Sequence, residues 1–487
     1  MIRTPGEGLH PVRRLPGFAA RHLRFYAPSE ATATCVVSLN GGGEVELRSH
    51  EGKGRGRVTF KTLLRGGCVL TLGARTPNLK QGDVLIDEGL IAEVGPSIRA
   101  RDAEQVDATD TVVMPGFVDT HRHTWTSLFR NIGERGSRPS SDTAAGRLGP
   151  DDVYAATLIG LLGAAEAGIT TVVDWSDLPS DDELVRAALR AHADSGLRTA
   201  FVHAAANGGG GHTPLDPAGP TTSIAFGSTL PPDPDLDRVA AEWARARASG
   251  LRIHAHPGPG GSGRGTPTRL GERGLMGEDV TLLHRTELDD ADVESIGSSG
   301  AGVTLSPSSD MAGGLGPPPI QQLIDHGVRP GLGVDDERVA PGDMFAQMRA
   351  TISLQHATVF ERKLAGKAAL PKLMSTRDVI RLATVDGARV AGLRGVTGSI
   401  EPGMQADVVV LRADRPNIFP VNDPIGAVVW GMDTSNVDWV FVGGRVVMRG
   451  GVLEADVERV RDLAEEARRR VSDASGVVAS ATRGGAE

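Results

Sequence analysis

The fold turns on the string 117-FVDTHRHTW-125, which opens apolar and then sets His121 and His123 two residues apart. In a β-strand, residues i and i+2 point to the same face, so both imidazoles aim the same way. Placed like that, they can bind one metal ion together. An isolated His-x-His pair proves little. It gains weight if the rest of the chain builds a barrel and the pair lies at the strand end where barrel chemistry sits.

The surrounding pattern does predict such a barrel. Strand signals recur at 116–123, 170–175, 198–205, 222–227, 251–256, 280–286, 302–308 and 329–335. Helical stretches alternate with them, including 151–168, 181–196, 235–250 and 289–300. Several open on Asp pairs and close on Gly, as helix ends require. One connection, 206-ANGGGGHTPLDPAGP-220, has no helical period and is expected to be a loop. The fold class expected is α/β, a (β/α)8 TIM barrel over residues 114–398. Short alternating strands also occur at 62–113 and 399–453. They are expected to form one small β-sandwich built from both chain ends. Residues 454–487 hold a charged helix with Glu-to-Arg pairs, read as solvated or dimer-packing, and a tail. Residues 1–61 show no period and are expected to be disordered or a non-native extension, with Val58 reading as a natural start.

Composition narrows the function. A net charge of −9 argues against nucleic-acid binding, and no apolar run of about 18 residues suggests a membrane span. Two cysteines, Cys35 and Cys68, are too few for a disulfide framework and suit a reducing, cytoplasmic setting.

Three more strand ends carry chemistry. The fifth, 252-RIHAHPGPGGSG-263, points His254 and His256 inward, with His256 nearer the mouth as ligand and His254 a packed residue one layer deeper. The sixth, 280-VTLLHRTEL-288, offers His284 at a similar height. On the eighth, 331-GLGVDDERVAPGDMF-345, Leu332 and Val334 face the outer helices. Gly331, Gly333 and Asp335 then face inward, so parity selects Asp335 over Asp336.

With these residues in place, the chain resembles the amidohydrolase superfamily, in its cytosine deaminase and triazine (atrazine) hydrolase branch. The motifs are 114-MPGFVDTHRH-123, His256, 283-LHRTEL-288, 333-GVDDERVAPGDMF-345 and 398-GSIEPGMQADVVVL-411. The resemblance implies one divalent metal ion, zinc or iron, held by His121, His123, His256 and Asp335. It assigns His284 to the substrate or the scissile group. Binuclear members use a lysine on a middle strand. This chain has no lysine between Arg122 and Asp335, so a mononuclear site is expected. Such a metal lowers the pKa of a bound water from about 15.7 toward about 7. Asp335 would take the water's proton and His284 would stabilise the developing charge.

One position departs from the branch. Three residues after the fifth-strand histidine its members carry a proton-moving glutamate, and here that position is Pro259. Glu287, Glu337 and Asp310 are candidates to replace it. Asp335 and His284 doing all the proton work is the alternative. His203 and His212 are pocket candidates, and Trp125, Phe129 and Trp175 could stack on a flat ring. The glycine-rich 258-GPGGSGRG-265 lacks the βαβ context of a dinucleotide fingerprint and reads as a rim loop.

The expectation is a metal-dependent hydrolase cleaving a non-peptide C–N bond of a small heterocyclic amine, amidine or cyclic amide. Displacement of halide from a heteroaromatic ring is the enzymatic alternative, and a non-catalytic metal-binding barrel the other. A homo-oligomer such as a dimer is expected, with a small molecule as substrate.

Overall fold

The computed structural model describes residues 35–39, 45–49, 61–130, 148–179, 181–204, 215–257, 264–284 and 286–475. The chain divides into two compact units, residues 1–59 and 60–487. In the first, β1 (Cys35–Leu39) and β2 (Val45–Ser49) form an antiparallel hairpin with Val37 opposite Leu47.

The second unit opens with β3 (Thr62–Val69), β4 (Leu79–Asp87), β5 (Leu90–Gly95), β6 (Glu104–Asp107) and β7 (Thr111–Pro115). The far end of the chain returns as β16 (Val408–Arg412), β17 (Val437–Val442), β18 (Arg445–Arg449) and β19 (Val452–Leu453). β7 and β16 join antiparallel, Val113 opposite Val410, so the two ends form one continuous nine-stranded sheet. Val84, Ile86, Val113, Val408, Val410 and Phe441 bury together there.

Between them lies the barrel: β8 (Phe117–Arg122), β9 (Ile169–Ser176), β10 (Arg198–His203), β11 (Thr222–Leu230), β12 (Ile253–Pro257), β13 (Val280–Leu283), β14 (Gly302–Leu305) and β15 (Gly331–Leu332). These eight parallel strands pair in sequence order. The ring is completed by a parallel bridge between Arg122 and Asp335. There the Asp335 N–H donates to His121 O at 2.8 Å, and the His123 N–H donates to Asp335 O at 2.9 Å. Glycines permit this seam. A Cβ on Gly331 would lie 2.7 Å from Thr120, and one on Gly333 2.8 Å from the His121 carbonyl.

Side-chain alternation sorts the core. Ile253, Ala255, Val280, Leu282, Val303, Leu305, Leu332 and Val334 pack with the outer helices. Val118, Val173, Val202, Ala225 and Leu283 form a separate cluster on the opposite, inner faces of their strands. The helices begin and end as their sequences demand. Asp181, Asp235 and Asp289 accept hydrogen bonds from the first turns of Asp182–Ser195, Leu236–Ala248 and Asp290–Ser299. Gly196 and Gly300 end two of them at φ 74° and 76°. No helix separates β10 from β11 among the described residues. The charged helix Val457–Ser475 lays an apolar stripe on its own barrel. Val460 packs with Leu158 and Leu162, Ala467 and Val471 pack with Val153 and Ala156, and Arg470 pairs with Asp152 at 2.6 Å. Among the described residues, no helix is long and apolar enough to cross a membrane.

Candidate active site and metal centre

Four strand ends converge at the barrel mouth. Asp335 Oδ1 lies 3.2 Å from His121 Nε2, 3.4 Å from His123 Nε2 and 3.3 Å from His284 Nε2. The His256 ring completes the group, centred 5.6 Å from His121 and 4.9 Å from His284. The ligand atoms of His121, His123 and His256 lie within 4.8 Å of one another, and so do those of His121, His284 and Asp335.

Strand parity alone aims His256 inward, because Ile253 and Ala255 hold the outer face. It does not aim His284, since the inward position on β13 belongs to Leu283. A left-handed φ of 45° turns His284 back to the mouth, and Asp335 sits at φ 65°. Such conformations cost non-glycine residues roughly 1–3 kcal/mol each and persist where surrounding contacts enforce them.

Those contacts come from a ring of partners behind the cluster. His256 donates from Nδ1 to the Pro257 carbonyl at 2.6 Å, and His284 from Nδ1 to Asp310 Oδ1 at 2.7 Å. His123 Nδ1 lies 3.5 Å from Asp177 Oδ1, which also accepts from Trp125 Nε1 at 2.7 Å. Ser309 donates to Asp335 Oδ2. His121 differs. It is 1% exposed, yet neither ring nitrogen has a hydrogen-bond partner, its Nε2 being close to Asp335 but not aligned with it. A buried imidazole without a partner, beside two more imidazoles and a buried carboxylate, is a donor set that fits one divalent cation such as zinc.

Protein charges polarise the cluster. Burial pushes His121 down to about 4, and burial with the Arg252 charge pushes His254 to about 3. Burial and the charge of His284 hold His256 well below its usual value. Burial acts the same way on His123, but Asp177 outweighs it and raises His123 to about 9. Burial likewise disfavours the His284 cation, but Asp335 and Asp310 outweigh it and raise His284 to about 10. Burial disfavours the Asp335 anion, yet the His284 charge holds its carboxyl far below the ordinary range.

The other expected residues fall elsewhere. His254 is buried beneath the cluster with its Nδ1 unpartnered. Asp310 is fully buried behind His284, and Glu287 is exposed. Glu337 lies beyond the end of β15 and is taken up by Arg130 at 2.7 Å, Arg122 at 3.2 Å and Ser127. His203 shares the outward face of Phe201, their rings 6.2 Å apart, while Ala200, Val202 and Ala204 take the inner face. Trp125 and Phe129 pack into a cluster with Leu148 and Val153, whereas Trp175 lies 5.0 Å from the His256 ring. Pro259 and His212 lie outside the described residues. Asp177 and Ser309 were not among the expected residues. Asp177 follows Trp175 by two positions, so the alternation that places Trp175 inward was the available signal.

Fold and site together define a metal-dependent barrel hydrolase. The chain matches the amidohydrolase family over residues 112–208 and 240–447, more than half its length, and belongs to that family. It is therefore a hydrolase acting on carbon–nitrogen bonds other than peptide bonds. It is 28% identical over 437 residues to the 5-methylthioadenosine/S-adenosylhomocysteine deaminase of Pelotomaculum thermopropionicum, covering 83% of this chain and 97% of that protein. Against the 5'-deoxyadenosine deaminase of Methanothermobacter thermautotrophicus it is 29% identical over 436 residues, with the same coverage. Among solved structures, the fold is shared with a zinc-complexed mutant of the atrazine chlorohydrolase of Arthrobacter aurescens TC1. That match has a TM-score of 0.72 at 21% identity and covers 84% of this chain and 100% of that one. A zinc-bound adenosine deaminase of Xanthomonas campestris matches with a TM-score of 0.69 at 20% identity, over 85% and 99% of the two chains.

Proposed function

We propose that this enzyme removes the exocyclic amino group of a nitrogen heterocycle by metal-dependent hydrolysis, with adenine nucleosides altered at the 5' position as its first substrate class. The observation that carries the reading is one carboxylate oxygen, Asp335 Oδ1, within 3.4 Å of Nε2 atoms on three histidines at a barrel mouth. His121, His123, His256 and Asp335 would hold the metal. When bound, the cation polarises a water and supports negative charge on the attacked group.

The chain's own residues handle the protons. Asp335 is ionised across the neutral range and accepts a proton at its carboxylate. His284 Nε2, 3.3 Å from that oxygen, can deliver a proton to the ring or the leaving nitrogen. Asp310 and Glu337 are engaged by His284 and by arginines, which supports Asp335 and His284 sharing the whole proton route. The relatives named as 5'-deoxyadenosine and 5-methylthioadenosine deaminases support the nucleoside class.

Displacement of halide from a heteroaromatic ring is the second reading. Pro259 favours it, because a halide leaves without needing a proton. A panel of 5'-deoxyadenosine, 5'-methylthioadenosine, cytosine and chloro- and amino-triazines, read for ammonia and halide with zinc-loaded protein, tests both. Ammonia release that disappears in His121→Ala and Asp335→Asn is expected. Near-normal turnover in either variant would displace the site from these residues.

A further inference from the structure

The two site residues with left-handed backbones, His284 and Asp335, are both gripped by neighbouring residues of one short element. That element follows β14: Ser306 precedes the turn of helix Pro307–Ala312. Asp310 Oδ1 accepts from His284 Nδ1 at 2.7 Å, and the adjacent Ser309 donates to Asp335 Oδ2. The turn is itself held. Asp310 Oδ2 accepts the Ser306 N–H at 3.2 Å, the Asp310 N–H donates to Ser306 O at 2.8 Å, and the Ser308 N–H donates to Gln347 Oε1 at 3.3 Å. Asp310, Ser306 and Gln347 are fully buried, and Ser309 is 4% exposed.

We infer that Ser309 and Asp310 are positioning residues, a rigid clip that fixes Asp335 and His284 in conformations their own strands would not give them. β13 ends with Leu283 facing inward, so an unrestrained His284 would turn toward the outer helices. With Nδ1 bound to Asp310, its Nε2 faces Asp335 Oδ1 and the reacting atoms. The Ser309 hydroxyl occupies Asp335 Oδ2, leaving Oδ1 to the histidines. The two bonds act on different functions. Ser309 acts on a proposed metal ligand, and Asp310 acts on a residue that meets substrate.

This inference rests on the proposed roles of Asp335 and His284, and its test separates the two bonds. Zinc alone is titrated into wild type, Ser309→Ala, Asp310→Ala and Asp310→Asn by competition with a chromogenic chelator. Ser309→Ala is expected to weaken zinc binding ~10–100-fold, whereas both Asp310 variants stay within ~threefold. The His284 Nδ1–H should give a far-downfield proton resonance in the zinc-loaded wild type, absent in His284→Asn and Asp310→Ala and shifted in Asp310→Asn. With 5'-deoxyadenosine, kcat in Asp310→Ala should fall ~100-fold at little-changed KM, and Asp310→Asn, which keeps an acceptor, should recover to within ~tenfold of wild type.

Wild-type zinc affinity in Ser309→Ala would overturn the inference. Equal damage in the two Asp310 variants, or a resonance untouched by Asp310→Ala, would do the same. If the alanine variant does not fold, the nearly isosteric asparagine carries the comparison. If wild type turns over no amine in the panel, the proposed function fails, while the zinc and resonance measurements still decide the clip.

Discussion

Glu337 separates two kinds of acid at this barrel mouth, and Glu337→Gln measures which kind it is. Its carboxylate is 6% exposed and is paired with Arg130 at 2.7 Å and Arg122 at 3.2 Å, with Ser127 also donating to it. Arg122 is fully buried and keeps two other partners, Asp119 at 2.7 Å and the Gly342 carbonyl at 2.8 Å. Breaking a buried ion pair costs about 3–5 kcal/mol, and the surviving partners put this case near the lower end, at about 3. With a urea slope of about 3 kcal/mol per molar, the unfolding midpoint should fall by about 1 M. Burial disfavours the Glu337 anion, but Arg122 and Arg130 hold its carboxyl below the usual 4.5. A group depressed in the folded state stabilises above its unfolded pKa and loses that contribution as pH falls through the folded one. The gap between wild type and Glu337→Gln should therefore be full at pH 7 and shrink below about 4.5. Urea titrations by tryptophan fluorescence at both pH values, with turnover per folded zinc-loaded molecule, give the answer. An unchanged midpoint with turnover lost a hundredfold or more (~100-fold, the scale of a missing acid–base group) would make Glu337 the proton carrier and refute the ion-pair reasoning.

Other outcomes follow from the same geometry. Asp177→Ala removes the carboxylate behind His123 and should weaken zinc binding ~10–100-fold; affinity equal to wild type in a chelator competition would deny Asp177 that part. His123, raised to about 9, must lose a proton to bind a metal. Zinc affinity should therefore fall about tenfold per pH unit below that value, with proton uptake by the buffer in calorimetry at pH 7. A flat profile between pH 6 and 8 would contradict this. Gly333→Ala forces a Cβ within 3.0 Å of the His121 N and Cβ and 2.8 Å of its carbonyl. Overpacking there should cost about 1–3 kcal/mol and displace His121, seen as a lower melting temperature together with reduced zinc content.

Alternation made much of this legible. It assigned the strands, put His254 below His256, and separated Asp335 from Asp336, whose carboxylate is instead paired with Arg338 at 2.8 Å. His203 was readable by the same rule, since Ala200, Val202 and Ala204 claim the inner face. What escaped the sequence depends on backbone turns and on distant partners. The inward aim of His284 comes from φ 45°, which no periodicity encodes. Glu337 has the parity of a rim acid, and only the folded chain brings Arg122 and Arg130 to it. Ser309 is one of several serines beside a proline until β14 and β15 become neighbours.

The seam of the barrel has a consequence for how the protein matures. β8 and β15 meet through contacts between residues 212 apart, such as the Thr120 hydroxyl donating to Leu332 O at 2.9 Å. The proposed metal ligands lie on both sides of that join, His121 and His123 at the end of β8 and Asp335 just past β15. A cation can therefore meet its full ligand set only after the last strand has found the first. A cation held by all of these residues would then act as a clasp on a very long loop, adding its binding energy to the closed barrel alone.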